Sequence, residues 1–308
     1  MCMSSRSFYK SSIFLAIVAC FLWSTAFVGI KIGLRYTTPL QFAGLRFMIS
    51  GILILPFCRN IKKDLVLVRK HAGKVFFISL FQTAILYTFF YQGMNRTPAA
   101  IGAIVVGGGP LFVAFLAHFI TGRDHLTIKK IIALLIGFSG ILLLALAKDT
   151  SIDNRVTLLI GIAMLIIGNF AGSFGNILVS QSKTGISPVF LNSLQIFSGG
   201  LMILIVSFFF ENFHFSAKPL PYYISLGYLS AMSAIAFSIW FVILNRPEVK
   251  VSEINVWKFI IPVLGAILSW IIISGEKPQW YTISGMLLIA TAIVIIYGRF
   301  NRNSLRQN

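Results

Sequence analysis

Three ionisable side chains, Lys31, Arg46 and Lys258, fall inside long apolar runs, where little else in the sequence can bind or move charge. A charge at the centre of a membrane-length helix costs roughly 2.5–3.5 kcal/mol on insertion scales, so each requires a function or a partner. Arg46 lies about 10 Å from the nearer end of its run at 1.5 Å per residue, with Ala43 and Ser50 on the same helix face. Its guanidinium is suited to backbone carbonyls exposed near Pro39 or Pro110, or to an anionic group held in the bundle. Lys258 lies roughly 9 Å inside its run, three residues after Asn255 and four before Pro262, on a stripe continued by Gly265, Ala266 and Ser269. That stripe allows a cavity contact, snorkelling of the long stem to the surface, or an ion pair with Glu253 or another helix. Lys31 stands one turn from Arg35 and either snorkels or guards an entrance.

Neutral polar and aromatic residues recur at helical spacing around these charges. Thr83, Tyr87 and Tyr91 form one face. Ser230, Ser233, Phe237 and Trp240 form a second, and Asn169, Ser173, Asn176 and Ser180 a third, beside Gly168 and Gly172. Such faces serve either helix packing or a pocket wall. Arg46, Tyr87, Asn176, Trp240 and Lys258 are therefore the expected substrate-contacting set. His118 is either a packing residue or a proton relay. No carboxylate falls near mid-run, and the apolar runs contain no acid pair, His-x-x-x-His or Gly-Lys-Ser. Cys2, Cys20 and Cys58 form no Cys-x-x-Cys. A catalytic residue, a metal and a cofactor are thus not expected, and an integral membrane enzyme acting on lipid-linked substrates stands only as an alternative. Cys20 follows Ile17-Val18-Ala19 like a lipoprotein processing site, but the run continues past it and reads as a retained span.

The elements that must carry these residues are membrane helices. With 57% hydrophobic and 11% charged residues over 308 positions, the chain cannot hide its apolar surface in a core of its own. Apolar runs of spanning length predict ten helices, near 12–34, 38–57, 73–94, 97–121, 127–147, 157–181, 188–210, 221–244, 252–274 and 279–297. The net charge of +18 is spread through short connectors rather than gathered in a patch, which argues against nucleic acid and for contact with anionic phospholipids. With both termini in the cytoplasm, seventeen Lys and Arg lie inside and six outside. The expected location is therefore a bacterial inner membrane. Oligomeric state is not legible.

An internal duplication organises the runs. Asn95-Arg96 reappears as Asn245-Arg246, Pro110 as Pro262, Ala114 as Ala266 and Asp124 as Glu276; Ser24, Pro39 and Arg46 correspond to Ser173, Pro188 and Gln195. Two five-helix halves, 1–150 and 151–308, result, and an odd helix count inverts the second relative to the first. The fourth run is broken by Gly107, Gly108, Gly109 and Pro110. Pro110 lacks an N–H, and inside a bilayer the freed carbonyls need neighbouring protein or a hydrated cavity. These residues, with Pro262, are the expected gating hinges.

Trp23-Ser24, Leu45-Arg46-Phe47, the Pro110 segment with Gly122-Arg123-Asp124, and the Pro262 segment ending Ser274-Gly275-Glu276 resemble the EamA-type members of the drug/metabolite transporter superfamily. The resemblance spans both halves. It implies an all-α integral membrane protein of ten helices in two inverted five-helix repeats around a central cavity. It also implies export or uptake of small polar metabolites, such as amino acids or their derivatives, by alternating access. A nucleotide-sugar carrier of the same superfamily is the alternative cargo reading, with Arg46 and Lys258 neutralising phosphate. Ala133 and Phe138 depart from the glycines frequent in relatives, and Lys258 is an unusual charge at its position, so a specific cargo does not transfer.

Overall fold

The computed structural model describes residues 5–121, 127–146, 155–212, 217–247, 249 and 254–297, and among them every regular element is helical. In order these are α1 (Ser5–Gly33), α2 (Pro39–Ile54), α3 (Ile61–Lys70), α4 (Ala72–Ser79), α5 (Leu86–Arg96), α6 (Ala99–Gly107), α7 (Gly109–Thr121), α8 (Ile128–Leu146), α9 (Arg155–Gln181), α10 (Pro188–Phe210), α11 (Leu220–Leu244), α12 (Ile260–Ile272) and α13 (Trp280–Tyr297). Among the described residues, seven stretches are long and apolar enough to cross a membrane: Ser12–Gly33, Pro39–Phe57, Ala72–Arg96, Ala99–Ile120, Arg155–Gln181, Pro188–Phe210 and Leu220–Leu244. Ile260–Ile272 and Trp280–Ile295 are apolar but shorter. Outward faces carry Phe14, Phe21, Phe209, Phe210, Ile271 and Val294, a surface suited to lipid rather than water.

Two elements were not expected. The connector after α2 folds into α3, an amphipathic helix that buries Asp64 and exposes Leu65 and Val66. The third apolar run is not one regular helix, because a π-helical turn at Leu80–Ile85 separates α4 from α5. A π turn widens the helix and shifts the phase of the residues beyond it; Thr83 lies inside the turn and Tyr87 just past it.

Carboxylates determine how the helices are oriented. Glu211, just past the end of α10, accepts the Leu40 N–H at 3.0 Å and the Gln41 N–H at 3.1 Å, at the start of α2. Gln92 Nε2 and the Ser207 hydroxyl complete its shell. Asp64, beyond the other end of α2, accepts the N–H of Ser187 at the start of α10 at 3.1 Å. Each helix therefore begins where the other ends, and α2 and α10 run antiparallel. Glu276, past α12, likewise accepts the Ala99 and Ala100 N–H groups at 2.7 and 3.0 Å, opening α6, and also engages the Ser269 hydroxyl. Negative charge at these N-termini pairs with otherwise orphaned N–H groups and with the helix dipole. Asp124, Gly122, Arg123 and Glu253 lie outside the described residues.

Glycines let the antiparallel pairs approach closely. A Cβ at Gly44 would lie 2.8 Å from Leu204 Cβ, and one at Gly200 would lie 2.8 Å from Met48 N. At the crossing of α8 with α13, a Cβ on Gly140 would sit 2.9 Å from the Gly285 carbonyl, and one on Gly285 would sit 3.2 Å from the Gly140 carbonyl. Because backbone blocks the α2–α10 contact, Gly200→Leu is expected to cost roughly 1–3 kcal/mol by overpacking. A lowered thermal midpoint of the detergent-solubilised chain checks this, and an unchanged midpoint contradicts it. Around the α2–α10 pair, α1 packs on α11 and α12, while α9 packs on α5, α6 and α7; α6 also lies against α12.

Candidate functional site

The break in the fourth run falls at Gly108, between α6 and α7. Pro110 has no N–H to continue the ladder, the Gly108 N–H closes onto the Val105 carbonyl at 3.1 Å, and side chains of α9 add to the carbonyls flanking the break. Asn169 Nδ2 donates to the Val105 carbonyl at 2.8 Å, and the Ser173 hydroxyl donates to the Gly109 carbonyl at 3.4 Å. The corresponding helix, α12, is entered through a 3-10 turn at Val256–Phe259 that holds Lys258. Pro262 then sits in the first turn of α12, where the missing N–H is tolerated. The two irregular segments touch, since a Cβ on Gly107 would fall 2.3 Å from Pro262 Cγ. Asn169→Leu is expected to destabilise the chain by roughly 0.5–1.5 kcal/mol by removing one buried hydrogen bond to the Val105 carbonyl, which keeps the Gly108 N–H. Thermal melting measures that loss, and wild-type stability would contradict the role given to Asn169.

Beside this junction lies a cavity with about 110 Å³ of room for water-sized molecules, partly open to the exterior. Arg46, Tyr87, Asn176, Trp240 and Lys258 all line it, although they come from α2, α5, α9, α11 and the 3-10 turn.

Arg46 is 2% exposed. Its Nε and Nη2 donate to the Ser233 hydroxyl at 3.1 and 2.6 Å, and Nη1 donates to Tyr91 Oη at 2.6 Å. The expected carbonyls near Pro39 or Pro110 are not its partners. Hydroxyls of α5 and α11 are, because the small face of α2 brings it against α11, where Ser50 donates to the Ser230 carbonyl at 3.0 Å. N–H groups on Nη1 and Nη2 remain unspent at the cavity wall. The guanidinium also lies over the Phe47 ring, 4.8 Å from its centroid.

Lys258 points inward between two indoles, with Nζ 4.6 Å from the Trp240 centroid and 5.6 Å from that of Trp23. Snorkelling is excluded by that placement. Cation–π attraction supplies about 2 kcal/mol or more in a desolvated site, against an effective burial penalty of several kcal/mol per ion. Trp240 Nε1 donates to Asn176 Oδ1 at 3.1 Å, which fixes the indole plane. Tyr87 packs on Phe47 and Phe237, at 4.3 and 6.1 Å between centroids.

Other expected residues divide between packing and cavity. Ser230 and Ser233 bond to α2, whereas Phe237 and Trp240 of the same helix face reach the cavity. Ser180 turns back to the Ile177 carbonyl, and Gly168 and Gly172 pack against Leu86. Thr83 donates to Gln195 Oε1 at 2.6 Å. Lys31 and His118 do not line the cavity. Trp23, Phe27, Gln82 and Phe90 do, and were not in the expected set. Trp23 carried a usable signal: an indole at mid-run, far from the interfacial belts where tryptophan concentrates, needs a special environment.

The model of the family described as the EamA-like transporter family matches two segments, residues 10–146 and 159–298. The chain belongs to the EamA-like transporter family. Its EamA-like segments account for both irregular helices and for every described residue of the cavity wall. The probable amino-acid metabolite efflux pump of Escherichia coli (strain K12) is 26% identical over 91% of this chain and 93% of its own length. The uncharacterized transporter YvbV of Bacillus subtilis (strain 168) is 23% identical over 89% of this chain and 88% of that protein. A solved crystal structure superposes with a TM-score of 0.68 at 18% identity, covering 95% of this chain and 99% of the other, and so shares the fold. With its apolar helices, this EamA-like chain is an integral membrane protein, in a family whose relatives are named as transporters and not as enzymes.

Proposed function

We propose that the protein is a secondary transporter that exports small polar metabolites, of the kind represented by amino acids and their derivatives, by alternating access. The observation that carries this reading is the cavity itself, walled by side chains from both family-matched segments and abutted by the contact between Gly107 and Pro262. Arg46, Tyr87, Asn176, Trp240 and Lys258 contact the cargo; Gly107, Gly108, Gly109, Pro110 and Pro262 absorb the backbone changes as the cavity opens to alternate sides. The mobile units are two inverted five-helix repeats, 1–150 and 151–308, which together make ten spans. Support comes from the antiparallel course of α2 against α10 and from paired contacts at near-constant offset. Arg46 bonds to Ser233 as its repeat partner Gln195 is bonded by Thr83. The exporter sits in a bacterial inner membrane with both termini cytoplasmic and basic connectors against anionic phospholipid.

Cells overproducing the intact chain should accumulate specific metabolites in the medium relative to cells making Lys258→Ala at equal membrane levels. Identical extracellular profiles for intact chain, variant and empty control would remove the export reading. Reporter fusions at the two termini that placed them on opposite sides would remove the even number of spans.

A further inference from the structure

We infer that the cargo of this cavity is a net anion, an aromatic or similarly flat organic acid that lacks a compensating ammonium, rather than a zwitterionic amino acid. The inference rests on the transporter reading above and narrows its substrate class. Two cationic side chains, Arg46 and Lys258, line the cavity, and among the described residues no carboxylate lines it. All three described carboxylates are committed elsewhere, each to the start of a helix other than its own: Asp64 at α10, Glu211 at α2 and Glu276 at α6. The partners of Arg46 are hydroxyls, and those of Lys258 are aromatic faces, so neither positive charge meets a protein anion among the described residues.

Neutral groups in the wall point the same way. Trp23 Nε1 is a buried donor without an acceptor, on the indole that forms one side of the Lys258 cage. A carboxylate entering beside Lys258 gains the ammonium and an otherwise unsatisfied N–H together. Gln82 Oε1 is a buried acceptor without a donor, but a neutral amide orients a polar substituent without offsetting a second positive charge. An ammonium on the cargo would face two like charges in a low-dielectric space, which disfavours a zwitterion relative to its deaminated anion. The rest of the wall is aromatic, with Trp23 and Trp240 at 5.2 Å and Trp23 and Phe237 at 5.1 Å between centroids, a surface on which a flat ring stacks.

The test compares probes sharing one ring. Full-length protein in detergent is titrated with phenylpyruvate, an anion, and with phenylalanine, its zwitterionic counterpart, and binding is read from tryptophan fluorescence. Both are then followed by counterflow in proteoliposomes. Phenylpyruvate is expected to bind at least tenfold more tightly, and Lys258→Met to erase that preference while Lys258→Arg retains part of it. Glu253→Gln is expected to keep it, because the preference belongs to Lys258 and the cargo and not to an ion pair with the residue five positions earlier. Equal or tighter binding of phenylalanine, an unchanged preference in Lys258→Met, or loss of preference in Glu253→Gln overturns the inference. Counterflow of phenylalanine alone overturns it while the transporter reading stands. Lys258-dependent binding of phenylpyruvate without counterflow of either probe leaves the anion site standing and sinks the transporter reading.

Discussion

Replacing Arg46 with methionine is expected to reduce transport by at least about tenfold while leaving a folded, monodisperse protein whose thermal midpoint is equal to or above that of the wild type. Truncating one partner of a buried charged contact costs roughly 2–5 kcal/mol of binding, and a factor of ten corresponds to about 1.4 kcal/mol. The guanidinium supplies three hydrogen bonds to Ser233 and Tyr91 and presents its remaining N–H groups to the cavity. Methionine fills similar volume without charge, and the hydroxyls left behind can pair with each other or with cavity water. Removing a desolvated charge that has no anionic partner among the described residues relieves a penalty, so stability is not expected to fall. Arg46→Lys retains the charge but loses the fork that spans Ser233 and Tyr91, and partial transport is expected. Unaltered transport kinetics in Arg46→Met would take Arg46 out of the site; a collapsed, aggregated variant would make it a structural residue.

Glu211→Ala has the opposite signature, a loss of stability. The carboxylate accepts from the Leu40 and Gln41 N–H groups, Gln92 and Ser207, tying α2, α5 and α10 at one point. Removing it leaves the first turn of α2 uncapped and orphans partly buried donors, a cost of roughly 2–4 kcal/mol. Glu211→Gln keeps one acceptor oxygen but not the charge and is expected to lose about half as much. Melting of the purified chain ranks the three proteins. A midpoint in Glu211→Ala matching the wild type would mean that water replaces the cap at no cost. Because Glu211 does not line the cavity, the variant that remains folded at low temperature should bind cargo as the wild type does.

The polar residues of the cavity wall were legible in the sequence for a definable reason. Charge and amides inside apolar runs are costly wherever they occur, so Arg46, Asn176 and Lys258 could be singled out without any contact being known. Spacing on a helix gave the faces but not their use. Ser233 and Trp240 share a face of α11, yet one holds Arg46 and the other cages Lys258. The π turn at Leu80–Ile85 was hidden because nothing in Leu80 to Ile85 differs in composition from ordinary membrane helix.

The features legible from residue order alone are local ones. Run lengths dictate an all-helical membrane protein, and the glycines with Pro110 dictate where the fourth run breaks, since backbone chemistry and hydropathy act over a few residues. Packing in three dimensions was needed to show which hydroxyls hold Arg46, that two indoles enclose Lys258, and that Glu211 and Glu276 cap helices more than 170 residues away. Periodicity assigns a residue to a face of its helix but sets neither the rotation of that helix nor its neighbour. Those depend on how the glycine contacts and the capped N-termini lock the bundle together.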